Sequence, residues 1–306
     1  MSFFSFGGEE ASVGQANSLT IGQPPATPEA PANLIALDDA LLSRELTVIG
    51  DCLLTEGGAF HRRSLADIKW EVAVTDKLEK ADYFRDAILS QSDLIPGRYE
   101  GGLKTWECAV DLVNYLATHE AEQLQGKRVF ELGCGSSLPG IFCLGKGALV
   151  DLQDYNEEVL RLVTIPNVLL NIATELPPED EHEGGNVEVD LDFTKLATLP
   201  VNFWAGDWAS LKDKLADMSA EQKYDIILTS ETIYSADSHR KLLDLIKAVI
   251  KPGGIAYVAA KTTYFGCSGS LPQFLQLVEE DGSAKEIQSV WVEAHSVRRE
   301  IVKLQF

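Results

Sequence analysis

The sequence has no long uncharged apolar stretch. No run approaches the roughly 20 residues that an α-helix needs to cross a bilayer. The first six residues, Met-Ser-Phe-Phe-Ser-Phe, also lack the basic start and the apolar core of a secretory signal peptide. These absences argue against membrane-spanning and exported classes, and we expect a soluble intracellular protein.

Cysteine and histidine are few, and neither is arranged for cross-linking or metal binding. The cysteines form no C-x-x-C pair and are odd in number, so we expect reduced thiols in the cytoplasm or nucleus rather than a disulfide framework or a zinc site. The histidines are scattered at spacings that suit no metal site, which favours packing or surface roles. These residues are Cys52, Cys108, Cys134, Cys143 and Cys267, and His61, His119, His182, His239 and His295.

Positive charge is scarce. The chain has 26 Lys and Arg against 47 Asp and Glu, which gives a formal net charge of −21. Binding to nucleic-acid phosphates requires local positive charge, so we expect no direct nucleic-acid partner. The acidic surface suits a basic protein partner. The alternative is that the acids only keep the protein soluble.

The 306 residues suffice for one large α/β domain with an appended segment. Proline, glycine and small polar residues predict a flexible tail over residues 1–45. Residues 46–100 are predicted to form an extension packed on the core, and residues 101–306 the main domain. An acidic insertion at 175–192 is predicted to be a solvated loop, with recruitment of a basic substrate as the alternative.

The N-terminal extension has two different patterns. Alternating apolar and polar residues from Leu46 to Trp70 predict one or two edge strands or a hairpin, and Asp76 to Ser90 has helical spacing. A further helix is expected from Cys108, with Gly126 ending it before the next strand.

Strands and helices then alternate, which predicts a doubly wound parallel sheet with helices on both faces. The last two predicted strands, joined by a turn, would form a terminal antiparallel hairpin. Strands are expected near 128–133, 149–154, 200–206, 224–230, 254–260, 285–292 and 296–306, and helices near 139–146, 156–171, 208–217, 238–250 and 271–280.

A glycine-rich turn lies between the first predicted strand and helix of this domain. Counted from Gly133, the third residue is Gly135, but the sixth is Leu138, so the dinucleotide spacing is not met. Ser136 and Ser137 stand where a P-loop would carry lysine, so this is no P-loop. The pattern therefore predicts a pocket for a small adenosine ligand without a pyrophosphate, and S-adenosylmethionine (SAM) is the leading candidate.

Polar residues follow the next two strands at the positions that such a ligand requires. Asp154, 21 residues beyond Gly133, is placed to accept hydrogen bonds from ribose hydroxyls, with Asn156 beside it; capping of the next helix is the alternative. After the third strand, Gly206, Asp207 and Trp208 would admit adenine, accept from its amino group and cover its face. The alternative for Trp208 is a core aromatic.

The fourth strand end faces the expected methyl donor. Glu231 and Tyr234 are candidates for holding the acceptor side chain, because a buried carboxylate at a strand end is costly without a partner or a purpose. Capping of the helix near 238 is the alternative for Glu231. Lys261, at the fifth strand end, is either at the acceptor entrance or simply solvated.

Six motifs together resemble the seven-strand class I methyltransferases and, more narrowly, the eukaryotic protein-histidine N-methyltransferases. The resemblance covers residues 95–306. The motifs are G-L-K-T-W-E at 102–107, F-E-L-G-C-G-S-S-L-P-G at 130–140, L-Q-D-Y-N at 152–156, G-D-W at 206–208, S-E-T-I-Y at 230–234 and A-A-K-T-T-Y-F-G at 259–266.

The resemblance implies a Rossmann-like seven-stranded sheet and methylation of a histidine in the universal large-subunit ribosomal protein three, at the imidazole nitrogen remote from the backbone. It implies a basic ribosomal protein as partner, and we expect a monomeric enzyme. It also implies SAM contacts by Lys104, Thr105, Trp106, Glu107, Gly133, Asp154, Asn156, Gly206, Asp207, Trp208 and Ser230.

Three alternatives stay open. A lysine methyltransferase of the same superfamily has a similar fold but must deprotonate its acceptor. A non-catalytic module would keep SAM as a structural ligand. A dinucleotide dehydrogenase is disfavoured by Leu138 in the glycine turn.

Overall fold

A computed structural model describes residues 30–74, 93–176, 186–294 and 297–306. Its strands fall into one large sheet and one small sheet. They are β1 Asn33–Leu34, β2 Glu45–Thr55, β3 Gly58–Arg63, β4 Arg128–Leu132, β5 Leu149–Asp154, β6 Asn186–Asp192, β7 Val201–Ala205, β8 Tyr224–Ser230, β9 Ile250–Lys261, β10 Glu286–Glu293 and β11 Arg299–Gln305.

The large sheet confirms the predicted doubly wound architecture. Its order is β1-β7-β5-β4-β8-β9-β11-β10, and the five strands from β7 to β9 are parallel. β11 pairs antiparallel with both β9 and β10, which makes the predicted terminal hairpin. The chain crosses from one side of β4 to the other between β7 and β8. Ligands of such sheets bind beyond the carboxyl ends of the strands at this point.

Helices cover both faces of the large sheet. In β4, Val129 packs with helix residues such as Leu112 on one face, and Phe130 packs with Ile246 on the other, because successive side chains of a strand point to opposite sides. The helices are α1 Asp39–Leu42, α2 Leu65–Val74, α3 Glu107–His119, α4 Leu138–Gly145, α5 Glu157–Val159, α6 Ile165–Ile172, α7 Trp208–Lys214, α8 Ala236–Val249 and α9 Leu271–Asp281, with a π segment at Leu160–Thr164 and 3₁₀ turns at Ala121–Gln123 and Phe193–Thr198. Within the described ranges, no helix has the length and apolarity required to cross a membrane.

The structure differs from the predicted tail over residues 30–45. β1 pairs antiparallel with β7 at the sheet edge, and the Asp207 N–H donates to the carbonyl of Ala30 at 2.9 Å. Proline-rich composition argued against regular structure here, but two residues suffice to pair with an exposed strand edge. Residues 1–29 of the predicted tail lie outside the described residues.

The small sheet has the order β3-β2-β6 and joins two regions that were predicted separately. The predicted hairpin is present as β2 and β3, but Trp70 lies in α2 rather than in a strand. β6 comes from the second half of the acidic insertion and pairs with β2, so this half is not a loop. Val187 and Leu191 are buried on one face of β6. That alternation was present in the sequence, but the surrounding acids obscured it.

Two helix predictions have different outcomes. The helix predicted to run from Cys108 to Gly126 ends at His119, and Gly126 instead has φ +71° in the turn before β4. The helix predicted at Asp76–Ser90 lies outside the described residues.

Candidate active site

The glycine turn after β4 is held by side chains at the end of β5. Gly133 has φ +63° and Gly135 has φ +48°, a region that side chains rarely adopt. The Gly133 N–H donates to Gln153 Oε1 at 3.0 Å, and the Gly135 N–H donates to Asp154 Oδ2 at 3.0 Å. A Cβ at Gly133 would lie 2.5 Å from Thr232 Cγ2. The turn therefore requires glycine for both its backbone conformation and its space.

Glu131 fixes the other side of the turn. Its Oε2 accepts from the Ser137 hydroxyl at 2.8 Å and from the Gly140 N–H at 2.9 Å. Complete burial raises the pKa of Glu131 to about 8, although these two hydrogen bonds oppose the shift. A buried carboxyl group thus ties the turn to the start of α4.

The free energy of unfolding is expected to fall as pH rises from 6 to 8, because of Glu131. The folded state keeps the Glu131 proton up to about pH 8, whereas the unfolded chain releases it near pH 4.5. The folded state therefore binds more protons in this window, and this group lowers the free energy of unfolding by up to about 1.4 kcal/mol per pH unit. Glu131→Gln keeps an oxygen acceptor but cannot titrate. Denaturant unfolding at pH 6, 7 and 8 should show a shallower slope for the variant. Equal slopes would contradict the assignment.

Asp154 and Asn156 lie at the end of β5 as predicted. The Asp154 carboxylate is buried, and its Oδ1 accepts from the Asn156 N–H at 3.1 Å. A carboxylate offers about four acceptor sites, so Asp154 keeps capacity beyond its bonds to the turn and the helix start. Burial raises the pKa of Asp154 to about 6. The Asn156 side chain accepts from the Glu100 N–H at 3.1 Å and donates to the Arg98 carbonyl at 2.7 Å. Asn156 therefore holds the backbone of Arg98 and Glu100 in place.

The third strand end is packed differently from the predicted adenine pocket. A Cβ at Gly206 would lie 2.6 Å from Ala32 Cα, so this glycine admits the N-terminal segment. Asp207 caps α7 through the Ala209 N–H at 2.8 Å and pairs with Lys241 at 3.0 Å. The adenine roles of Gly206 and Asp207 remain predictions.

Trp208 lies against the glycine turn. Its indole N–H donates to Gln153 Oε1 at 2.8 Å, the same oxygen that accepts from Gly133. Its Cζ2 would be 3.8 Å from a Cβ at Gly133. Gln153 therefore links the ring to the turn. This residue lies inside the L-Q-D-Y-N motif, but no role was predicted for it.

Residues 97–106 form a covering segment over the glycine turn. The Thr105 hydroxyl donates to Ser136 Oγ at 3.0 Å, and the Tyr155 hydroxyl donates to the Gly97 carbonyl at 3.1 Å. A Cβ at Gly102 would lie 3.2 Å from Asp154 Oδ2. Thr105 is thus brought to the predicted cofactor region.

Two further predicted contact residues, Trp106 and Lys104, lie within the covering segment. The Trp106 indole N–H donates to the Gly101 carbonyl at 3.2 Å. The Lys104 ammonium pairs with Asp93 at 2.5 Å, and its side chain is nearly half exposed. Lys104 therefore points towards solvent here.

A cluster of acidic, basic and aromatic side chains lies at the ends of β8 and β9 and at the start of α3. We call Glu107, Glu231, Tyr234, Lys261 and Tyr264 the acceptor cluster. Glu231 has φ +59° and is only 8% exposed. Its Oε1 is buried, and the Lys261 ammonium lies 3.3 Å away. This strained, buried carboxylate has capacity for a further donor.

Two tyrosines enclose Glu231. The Tyr264 hydroxyl contacts the Glu231 carboxylate, and burial followed by this charge raises the pKa of Tyr264. The Tyr234 hydroxyl donates to the Glu100 carboxylate of the covering segment. The rings of Tyr234 and Tyr264 meet edge to face, with centroids 6.4 Å apart. Ser230, the last residue of β8, is half-buried beside them and pairs with Ala259.

The donor set fits SAM better than a dinucleotide. A sulfonium is a cation, and Asp154, Glu100 and Glu231 surround this region with carboxyl groups. A pyrophosphate would meet the same groups with unfavourable charge. Asp154 has acceptor capacity for ribose hydroxyls, and the turn at Gly133 and Gly135 carries no side chain of its own. The residues present therefore fit a ribose-bearing cation.

Sequence comparisons identify proteins that are similar to this chain. Residues 97–281 match the family model described as lysine methyltransferase. The histidine protein methyltransferase 1 homolog of Dictyostelium discoideum is 40% identical over 194 residues, which are 63% of this chain and 54% of that protein. The histidine protein methyltransferase 1 of Saccharomyces cerevisiae is 32% identical over 277 residues, covering 78% of this chain and 72% of that protein.

A more distant relative has a different named activity. The protein N-terminal and lysine N-methyltransferase of Yarrowia lipolytica is 25% identical over 154 residues, which are 50% of this chain and 54% of that protein. The chain spans less than two thirds of the Dictyostelium relative and of the mammalian relatives it matches.

Proposed function

The chain belongs to the family of protein methyltransferases that this family model describes and that includes histidine protein methyltransferase 1, and from that premise we propose that it methylates a histidine in a protein. The acceptor atom would be the imidazole nitrogen remote from the backbone. The observation that carries the proposal is the buried Glu231 carboxylate at the end of β8, whose Oε1 lies 3.3 Å from the Lys261 ammonium and keeps acceptor capacity for a ring N–H.

S-adenosylmethionine is the cofactor, and when bound it supplies an electrophilic methyl group on a sulfonium sulphur. Asp154 would hold the ribose hydroxyls, and Trp208 would lie along the ligand beside Gly133. Thr105 and the rest of the covering segment would close over it and exclude water. The other residues proposed to bind SAM are Lys104, Trp106, Glu107, Gly135, Asn156, Gly206, Asp207 and Ser230.

SAM affinity is expected to depend on pH through Asp154. Hydroxyl donors favour the ionised carboxylate, and the pKa of this buried group is raised to about 6. The carboxylate is mostly ionised at pH 7 and mostly protonated at pH 5, so the Kd should be about tenfold larger at pH 5. Calorimetric titration at both values measures the effect. Asp154→Asn should bind more weakly and show no such dependence, and a wild-type Kd that is equal at both pH values would remove Asp154 from this role.

The acceptor imidazole has to be oriented by the site more than it has to be activated. Neutral imidazole is already a nucleophile near pH 7 because its pKa is about 6.5. Glu231 Oε1 would accept the N–H of one ring nitrogen, which leaves the lone pair of the other nitrogen to attack the methyl carbon. Bound SAM would supply the methyl carbon, and its sulphur would take the electron pair of the carbon–sulphur bond as the nitrogen–carbon bond forms. Glu231 also stabilises the imidazolium charge and can take its proton.

The partner would be a basic protein, and we propose a ribosomal one. The net charge of −21 supports a basic partner. The proposal extends to a monomeric enzyme in the cytoplasm or nucleus that makes no direct nucleic-acid contact.

Lysine methylation is the second candidate, because the matching family model is described as lysine methyltransferase. An ammonium acceptor would need carboxylates and an aromatic face. Glu107, Glu231 and Trp106 provide both, but the chain's own Lys261 lies among them. We therefore favour histidine.

The test is methyl transfer from isotope-labelled SAM into separated ribosomal and cytosolic protein fractions. We expect label in a ribosomal protein, and at least about tenfold less with the Asp154→Asn variant at a SAM concentration below the Kd of that variant. Absence of transfer to any protein fraction, with SAM binding intact, would support the non-catalytic binding module instead.

A further inference from the structure

Lys261 occupies a site that is built for a cation. Its ammonium lies 2.9 Å from Glu107 Oε2 and 3.3 Å from Glu231 Oε1. It also lies 5.3 Å from the centroid of the Trp106 ring. Two carboxylates and an aromatic face are the groups that recognise an alkylammonium ion. The chain fills this site with its own lysine.

The three charged side chains leave the cluster with a small negative charge. Glu107 and Glu231 contribute −2 and Lys261 contributes +1, which gives −1. This charge balances the single positive charge that develops on an attacking imidazole. Without Lys261 the charge would be −2, and a permanently charged ammonium would enter favourably. With Lys261 in place, a second ammonium would meet a like charge at close range.

Lys261 remains charged under physiological conditions. Burial would lower its pKa, but the hydrogen bond to Glu107 and the charge of Glu231 outweigh burial and raise it. Its side chain is only 18% exposed, so bulk water screens the ammonium weakly. The positive charge is therefore a permanent part of the site.

We propose that Lys261 is a specificity-determining residue that excludes amine acceptors by occupying the place of their ammonium group, so that the site takes a neutral imidazole. This inference rests on the proposed histidine methylation. Lys261 would decide whether an amine or an imidazole can enter the site, whereas Glu231 and Tyr234 would hold the imidazole once it is bound.

Lys261→Met is the direct test, because methionine is unbranched and uncharged. The matched control is Lys251→Met, at the other end of β9, which breaks a half-buried pair with Asp225. Lys261→Arg keeps the charge and should keep the exclusion. Circular dichroism and thermal unfolding establish that each variant folds, and Lys261→Gln replaces Lys261→Met if the latter does not.

The first readout is the ratio of methyllysine to methylhistidine after incubation with ribosomal proteins and labelled SAM. Lys261→Met should raise this ratio about tenfold or more, because one close like charge is removed. In the amine reaction of the variant, the ammonium passes one proton to Glu231, its nitrogen bonds the methyl carbon, and the sulphur leaves with the electron pair. Lys251→Met and Lys261→Arg should keep the wild-type ratio.

The second readout does not depend on turnover. Butylammonium, titrated calorimetrically in the presence of S-adenosylhomocysteine, should bind Lys261→Met but neither wild type nor Lys251→Met. A ratio within twofold of wild type, or equal butylammonium binding by wild type, would overturn the role of Lys261. Failure of the histidine proposal would appear separately, as absence of methylhistidine from the wild-type reaction.

Discussion

Replacing Gly133 by alanine is expected to weaken SAM binding by at least about 100-fold, or about 2.7 kcal/mol. The new Cβ would lie 2.5 Å from Thr232 Cγ2, and the residue would have to keep φ +63°. Relief of that contact requires the turn to move away from Gln153 and Asp154, whose side chains accept its N–H groups. Calorimetric titration with SAM measures the loss, and circular dichroism shows that the protein remains folded.

Two comparisons separate the steric contact from backbone strain. Gly126 has φ +71°, but a Cβ there would meet nothing within 4 Å. Gly126→Ala therefore introduces backbone strain without a steric contact, and it should leave SAM affinity unchanged. Thr232→Ser deletes the clashing methyl and keeps the hydroxyl that hydrogen-bonds Thr229 at 2.6 Å. Adding it to Gly133→Ala should restore most of the affinity. Equal SAM binding by Gly133→Ala and wild type would show that the turn does not hold the cofactor.

Glu231→Gln is expected to lower kcat by about 100-fold or more while the Kd for SAM changes less than about twofold. Glutamine keeps the size of the side chain, but its amide lacks the charge that stabilises the imidazolium. Tyr234→Phe removes the donor to Glu100, which loosens the covering segment, and should lower kcat about tenfold. Single-turnover methyl transfer, with SAM affinity measured in parallel, tests both substitutions.

Thr198→Ala provides a control for these measurements, because it removes an exposed hydroxyl that donates to the Lys195 carbonyl far along the chain from the acceptor cluster. It should leave both kcat and SAM affinity unchanged. The proposed acceptor roles would be wrong if Glu231→Gln and Tyr234→Phe both kept wild-type turnover at normal SAM affinity.

The parallel sheet was predictable because short apolar strand segments alternate with helical patterns along the chain, an order typical of a doubly wound sheet. The glycine turn and Asp154 were predictable for a related reason: the carboxyl ends of parallel strands meet at one edge, so sequence spacing converts directly into proximity. Glu231 and Tyr234 follow the same rule at the end of β8, and Lys261 follows it at the end of β9.

Contacts that join distant parts of the chain could not be predicted. Glu100 meets Tyr234 across 134 positions, and Ala32 packs against Gly206, with no local signal at either end. β6 was obscured because its exposed positions carry acids, which raised the polarity of the whole insertion. Local pattern shows which face of an element is buried, but not which distant segment covers it.

The most direct test of histidine methylation is the chemical identity of the methylated residue. The wild-type chain is incubated with ribosomal proteins and isotope-labelled SAM, and the labelled peptides are sequenced by tandem mass spectrometry with a methylhistidine standard for each ring nitrogen. We expect label on a histidine, at the imidazole nitrogen remote from the backbone. Label confined to lysine side chains or to protein N-termini would contradict it.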